Sequence, residues 1–372
     1  MPYFVIDADL IEANLRVLQG VMDRTGCKIL LAQKCFSCYG LYPLIAQYLY
    51  GATASGLYEA RLCHEEMGGK ENHIFSPAFQ EDDMEEILRI CDHIVFNSPR
   101  QLTLYGQRAI EAGLQVGLRV NPECSTQEGH AIYDPCAPGS RLGTRLGEFE
   151  QLTDQQLSLL SGLHFHTLCE QNSDDLETTL DAVVAKFGKY LHGMKWINFG
   201  GGHHITREDY DIPRLERCIR RMQTEYGLEV YLEPGEAVAL NAGELHSRIL
   251  EVQKAGSDGI VNVIVDTSAA CHMPDVIEMP YTPPILSPAN GEGTYTYRLG
   301  GPTCLSGDII GTYQFTEKLH EGDEIVFGDM AIYSMVKTNT FNGMPLPNIY
   351  IRRGKNLTLW KQFGYEAFKS RI

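Results

Sequence analysis

The stretch Lys28–Phe36, "KILLAQKCF", decides how the rest of the chain is read. Ile29 to Ala32 form an unbroken apolar run, the length and character of a short strand buried on both faces. Lys34 stands at its end. A lysine in that place either leaves the core and reaches into water or is held in a pocket, where its amine can form a Schiff base. The other strand ends decide between the two.

Seven more segments repeat the pattern: "GATAS", "HIFSP", "HIVFN", "QVGLRV", "GLHFHTL", "KWINFGGG" and "LEVYLEPG". Between them lie amphipathic stretches of helical period, such as "YEARLCHEEMG", "EDDMEEILRIC" and "SPRQLTLYGQRAIEAG". Strand and helix in alternation predict a parallel sheet covered by helices. Eight such units predict a (β/α)8, TIM-type barrel over residues 1–245. The open doubly wound alternative would place G-x-G-x-x-G after its first strand, and that motif is absent. From residue 246 to 372 the strings "SRILEVQ", "VNVIVDTS", "TYTYRLGG", "DIIGTYQF", "DEIVFGDM" and "NIYIRRG" predict an all-β domain.

Chemistry in such a barrel sits where the strands end. The ends carry Lys34, Ser55, Ser76, Asn97, Asn121, His166, the triplet Gly200-Gly201-Gly202, and Glu233. Each has a plain structural reading: a solvated lysine, a core histidine, a flexible turn, a strand end leading into a helix. Their convergence on one mouth favours a site. The triplet follows the seventh strand, where these barrels often bind phosphate, and glycine lets backbone N–H groups close on phosphate oxygens. Lysine, phosphate cradle and carboxylate together fit pyridoxal 5'-phosphate. The lysine condenses with its aldehyde, and the carboxylate keeps its ring nitrogen protonated, as loss of CO2 requires. A metal-dependent barrel is the rival, kept open by the "HFH" of His164 and His166. No complete ligand set accompanies it, and His203 and His204 are adjacent and point apart. No metal is expected.

The net charge of −17 argues against nucleic acid or an anionic membrane as partner. No apolar run approaches the length of a membrane span. "MPYFVIDADLIEANL" lacks the basic start of a signal peptide. The 11 cysteines, an odd number, read as reduced cytoplasmic thiols. Cys35 and Cys38 form a CxxC with no second pair to complete a zinc site, and packing is the reading for both.

With these motifs the chain resembles the alanine-racemase-like, fold-type III pyridoxal-phosphate decarboxylases over essentially its whole length. The resemblance implies that Lys34 is the Schiff-base lysine and that His166, in "FHTLCEQ", stacks on the cofactor ring. It implies that Gly200, Gly201, Gly202 and Gly235 meet the phosphate and that Glu233 pairs with the ring nitrogen. "GGPTC" places Cys304 on the family's active-site cysteine, and "DMAIYSMVKTNTFNG" places Tyr333 on its phosphate tyrosine and Phe341–Gly343 on the segment that closes the site. A homodimer with shared sites is implied, each cysteine segment serving the partner's barrel.

The departures matter as much. Better-known members carry arginine after "EPG", where this chain has Glu236, and an acidic residue after the cysteine, where it has Leu305. "GLHFHTLCEQ", "EPGEA", "DTSAACHMPDVIEMPY" and "GGPTCLSGD" resemble the family branch that decarboxylates carboxynorspermidine and carboxyspermidine, polyamine precursors. Glu170, Glu236, Asp275 and Glu278 are then the acids expected to meet a cationic substrate. Diaminopimelate or another basic amino acid is the alternative substrate. A racemase is a further rival, disfavoured because an acid at position 233 strengthens electron withdrawal, and a cofactor-carrier protein built on the lone barrel is another, disfavoured by the β domain with "GGPTC".

Overall fold

The computed structural model describes residues 1–127 and 133–372. The first strand, β1 (Tyr3–Asp7), takes no part in the barrel. The barrel consists of β2 (Lys28–Ala32), β3 (Gly51–Ala54), β4 (Glu71–Phe75), β5 (His93–Phe96), β6 (Gln115–Arg119), β7 (Gly162–His164), β8 (Trp196–Asn198) and β9 (Glu229–Leu232), paired in sequence order and closed. Each of the eight strands read from the sequence is one of these. Closure comes where β2 pairs with β9 in parallel, Lys28 opposite Tyr231.

Every residue of β3, β5, β7 and β8 is buried, as expected of strands covered inside by packed side chains and outside by helices. Helices Leu57–Glu66, Glu81–Ile90, Pro99–Glu111, Ser173–Leu191 and Ile212–Tyr226 lie between strands. Local chemistry sets their ends. Ser98 accepts the Gln101 N–H just ahead of Pro99, Asp211 accepts the Arg214 N–H, and Gly227 closes its helix at φ 70°. Within the barrel Leu30, Val95, Trp196 and Tyr231 form a buried cluster. Trp196 explains Gly162 on the neighbouring strand, because a Cβ there would lie 2.1 Å from the indole.

The remaining strands are β10 (Gly243–Val252), β11 (Asn262–Val265), β12 (Ile285–Ser287), β13 (Asn290–Gly300), β14 (Ile309–Phe315), β15 (Glu324–Gly328), β16 (Asn348–Arg353) and β17 (Asn356–Lys361). With β1 they make a mostly antiparallel sheet in the order β14-β13-β11-β10-β1-β16-β17, with β15 on β10 and β12 on β15. The compact units are Glu12–Val238, and Met1–Ile11 with Ala239–Ile372. This division differs from the one expected at residue 245. β1 is a sheet strand: it pairs antiparallel with β10 and parallel with β16. Arg352 on β16 bonds both Asp7, at 2.8 Å, and Glu244 of β10, at 2.6 Å. Nothing near β1 in sequence announces partners so far along the chain.

Among the described residues no helix is long and apolar enough to cross a membrane. All 11 cysteines are free thiols, with Cys35 and Cys38 buried.

Candidate active site

The barrel mouth assembles around Lys34. The turn carrying it is pinned below, where the Gln33 N–H donates to Thr53 O and the Ala32 N–H to Pro234 O. The Lys34 side chain is exposed. Its charge is felt by Glu59, whose carboxyl burial pushes up while the Ser55 N–H, at 2.6 Å, and Lys34 pull it back down. Glu59 carries no strand-end signal in the sequence because it lies in the helix that follows β3.

Glu233 lies buried at the end of β9. Its Oε2 accepts from His164 Nε2 at 3.1 Å and its Oε1 from Asn198 Nδ2 at 2.8 Å. Burial alone would raise this carboxyl, but the His164 and Asn198 contacts outweigh it and hold it down at about 2. Burial pushes His164 down while Glu233 pulls it back up, and its Nε2 is the N–H donor to Glu233. His166 is held by a different contact: its Nδ1 accepts the Gly201 N–H at 3.0 Å. Burial, then the nearby cations Lys34 and Arg119, press His166 well below the usual histidine range. A neutral ring whose Nδ1 accepts carries its proton on Nε2.

Gly200 and Gly202 stand at φ 70° and 82°, the region that favours glycine. A Cβ on Gly202 would lie 2.2 Å from Leu168 O, and one on Gly201 2.6 Å from Glu233 O. The donors divide differently from the expectation. The Gly200 N–H is committed to Asn198 Oδ1 at 2.8 Å and that of Gly201 to His166. The N–H groups of Gly202, His203, Gly235 and Glu236 have no acceptor among the described residues. Gly235 must be glycine because a Cβ would meet Cys35 at 2.5 Å.

The four expected substrate acids fare unequally. Glu170 is exposed, at φ 55°. Glu236 is buried and bonded to His204 Nε2 at 2.7 Å. Asp275 and Glu278 both hold the Lys337 ammonium. Burial alone would lower the Lys337 pKa, but these two carboxylates raise it. Glu236, Asp275 and Glu278 are therefore paired, through partners that lie far away in sequence.

In the sheet unit Cys304 is exposed, and its N–H donates to Asn342 Oδ1 at 2.7 Å. Buried Asp308 fixes the loop by accepting from Thr303 Oγ1 at 2.7 Å and Ser268 Oγ at 2.9 Å. Tyr333 and Asn342 both have positive φ, 47° and 60°. Phe341 is exposed.

One cluster among the described residues has the composition of a metal site: Glu71, His73 and His93, at the other end of the barrel. The two rings stack at 3.9 Å with planes 9° apart. Imidazole binds a metal in its own plane, and near-parallel stacked planes share no such point. Lys28 already holds Glu71 at 2.7 Å.

The pyridoxal-dependent decarboxylase model, named for the family's C-terminal sheet domain, matches residues 4–331. A carboxynorspermidine/carboxyspermidine decarboxylase of Campylobacter jejuni is 40% identical over 100% of this chain and 98% of its own. A carboxyaminopropylagmatine decarboxylase of Synechocystis is 37% identical over 100% of this chain and 95% of its own. The crystal structure of the Campylobacter jejuni carboxynorspermidine decarboxylase complexed with norspermidine superposes with a TM-score of 0.90 at 39% identity, covering both chains fully. Diaminopimelate decarboxylase of Helicobacter pylori, complexed with L-lysine, shares the fold, with a TM-score of 0.84 at 17% identity over 100% of this chain and 96% of its own.

Proposed function

The chain belongs to the pyridoxal-dependent decarboxylases, and from that premise we propose that it decarboxylates carboxynorspermidine or carboxyspermidine, releasing CO2 and norspermidine or spermidine in polyamine biosynthesis. The observation that carries the chemistry is the ionised, doubly hydrogen-bonded Glu233 at the mouth that also bears Lys34. These residues suit pyridoxal phosphate. Lys34 offers an accessible amine, His166 a neutral ring, and Gly202, His203 and Gly235 N–H donors for a phosphate, with Tyr333 as a further phosphate contact. When bound, the cofactor supplies an electron sink for the pair left behind as CO2 departs.

The protein's own part is positional and electrostatic. Glu233 would hold a proton on the cofactor ring nitrogen. His166 would pack against the ring and keep water away. One proton must reach the carbon that loses CO2, and the Cys304 thiol is its assigned donor. Following the family resemblance we assign Cys304, which lies exposed on the sheet unit, to the barrel of a second copy, in a closed two-fold dimer. Mixing Lys34→Ala and Cys304→Ala proteins tests this assignment. Random exchange makes half the dimers hybrids with one intact site each, so activity should recover to roughly a quarter of wild type. No recovery after proven exchange places Cys304 in its own chain's site. Eleven free thiols support the cytoplasm as the compartment.

The paired acids refine substrate recognition. A cationic tail suits acids such as Glu170 on the barrel unit or Asp275 and Glu278 on the sheet unit, whereas the second carboxylate of diaminopimelate would meet like charge. The Synechocystis relative motivates a second reading, a tail ending in guanidinium. Side-by-side decarboxylation assays of carboxynorspermidine, carboxyspermidine, carboxyaminopropylagmatine and diaminopimelate decide. The first two should lead. Preference for the third moves the assignment to the agmatine derivative, and efficient turnover of diaminopimelate overturns the polyamine reading.

A further inference from the structure

Phosphate sites in (β/α)8 barrels form in the loops after the seventh and eighth strands. Here those loops are Gly200–Thr206 after β8 and Glu233–Ala239 after β9. Neither contains a lysine or an arginine. Within these loops an anion is met by backbone N–H groups, and both loops offer donors without acceptors among the described residues: Gly202 and His203 on one, Gly235 and Glu236 on the other. Donors on separate loops bind one phosphate well only if their spacing is held in advance.

Two bonds hold it. His204 Nε2 meets Glu236 Oε2 at 2.7 Å, with both side chains buried. Thr206 Oγ1 donates to Ala237 O at 2.7 Å. The other ring nitrogen of His204, Nδ1, is buried without a partner among the described residues, so Glu236 is the ring's one side-chain hold. The pair also answers a charge problem. A bare carboxylate beside a phosphate would repel it, and the imidazole engages that carboxylate.

We propose that the His204–Glu236 pair is a brace that sets the spacing of the two phosphate-binding loops, supplying by position what an arginine in one of them would supply by contact. His204 and Glu236 are therefore positioning residues for the cofactor, and Glu236 is not a substrate acid. This rests on the cofactor reading above but not on the choice of substrate.

The test reads cofactor binding rather than turnover. Pyridoxal phosphate is titrated into cofactor-stripped native protein, His204→Ala, Glu236→Ala and His204→Gln. The 31P resonance of the bound phosphate is recorded for each, with melting curves of the stripped proteins as the folding control. Either alanine change should weaken binding by about 10- to 100-fold, the worth of a hydrogen bond to a charged group, and should move the 31P resonance. Glutamine places a donor where Nε2 stood, so His204→Gln should bind within about threefold of native, as a kept hydrogen bond allows. His204→Ala combined with Glu236→Arg should regain affinity, a rescue that mere packing would not give. Should His204→Ala fail to fold, Glu236→Ala, which leaves no buried charge, carries the test alone. Native-like affinity and an unshifted resonance in the folded alanine variants would overturn the brace. Failure of native protein to bind the cofactor would instead overturn the reading beneath it.

Discussion

Lys28 and Lys34 stand at the two ends of one barrel strand and live in opposite surroundings. Lys28, at the base, is 19% exposed and bonded to Glu71 at 2.7 Å, Glu229 at 3.0 Å and Tyr231 Oη at 3.1 Å. Lys34, at the mouth, has an exposed side chain. The same contrast runs through the other residue types. Glu71 at the base and Glu233 at the mouth are both held down at about 2. Glu71 reaches that state by neutralising Lys28 and touching His73. Glu233 does so through His164 and Asn198, a buried imidazole and an amide rather than a lysine ammonium. Lysine, glutamate and histidine thus build a saturated plug at one end and a charged, open site at the other. What distinguishes them is how completely each charge is matched, not which residues are present.

The contrast breaks most sharply at Lys34. Lys34→Ala should lower turnover by at least ~10³-fold, the scale of losing a covalent catalytic group. Borohydride reduction of the holoenzyme followed by peptide mapping should find the pyridoxyl group on Lys34. Label on Lys28 or any other lysine would show that the mouth has been misassigned.

Glu233→Gln tests the charge at the mouth. The amide keeps the shape and one acceptor but cannot hold a proton on the ring nitrogen. Cofactor should remain bound while kcat falls by about 100-fold, comparable to the loss of one preorganised electrostatic contact. Undiminished kcat with bound cofactor would mean that another group protonates the ring.

The difference between the two ends also marks where the sequence is readable. The barrel strands stand out because each is a short apolar run between amphipathic helices, a local signal. Lys34, His166, the glycine triplet and Glu233 stand out because strand ends are local too. Pairing is not. That His164 holds Glu233, that His204 takes Glu236, and that Lys337 takes Asp275 and Glu278 all depend on residues brought together from distant segments. The acids expected to meet substrate stand out by residue type, which is silent on their partners. His164 offered one usable signal, lying two residues before His166 in "HFH", but that spacing was read for metal rather than for a carboxylate on a neighbouring strand. β1 hid for the same reason, since its partners are β10 and β16.

At the base, removing a charge should cost stability and spare chemistry. Lys28→Met leaves Glu71 and Glu229 facing each other without their cation. Breaking a fully buried pair costs about 3–5 kcal/mol. Glu71 and Glu229 are partly solvated, so about 1–3 kcal/mol is expected here. The melting temperature should fall by several degrees, with kcat per bound cofactor unchanged. A large loss of kcat in well-folded Lys28→Met protein would show that the base is coupled to the mouth and end the contrast.

The finest test is His93, which stacks on His73 and packs against Trp196 and Tyr231 at 5.3 Å each. Burial first, then the neighbouring His73, holds it down to about 2. An unfolded histidine takes up its proton near pH 6.5. Between those values the unfolded chain binds more protons than the folded one, so stability is lost as pH falls below about 6.5. Glu71 acts in the same direction lower down. Its folded value of about 2 lies below the unfolded value of about 4.3, so its contribution is complete above that and lost on further acidification. His93→Phe keeps the stacking and removes only the first effect. The melting temperature of the variant should match native protein near neutrality. Between pH 7 and 5 it should then fall less steeply, by about 2–4 °C over the range. A parallel fall in both proteins would show that His93 is not held neutral in the plug, and that the base is less saturated than its contacts imply.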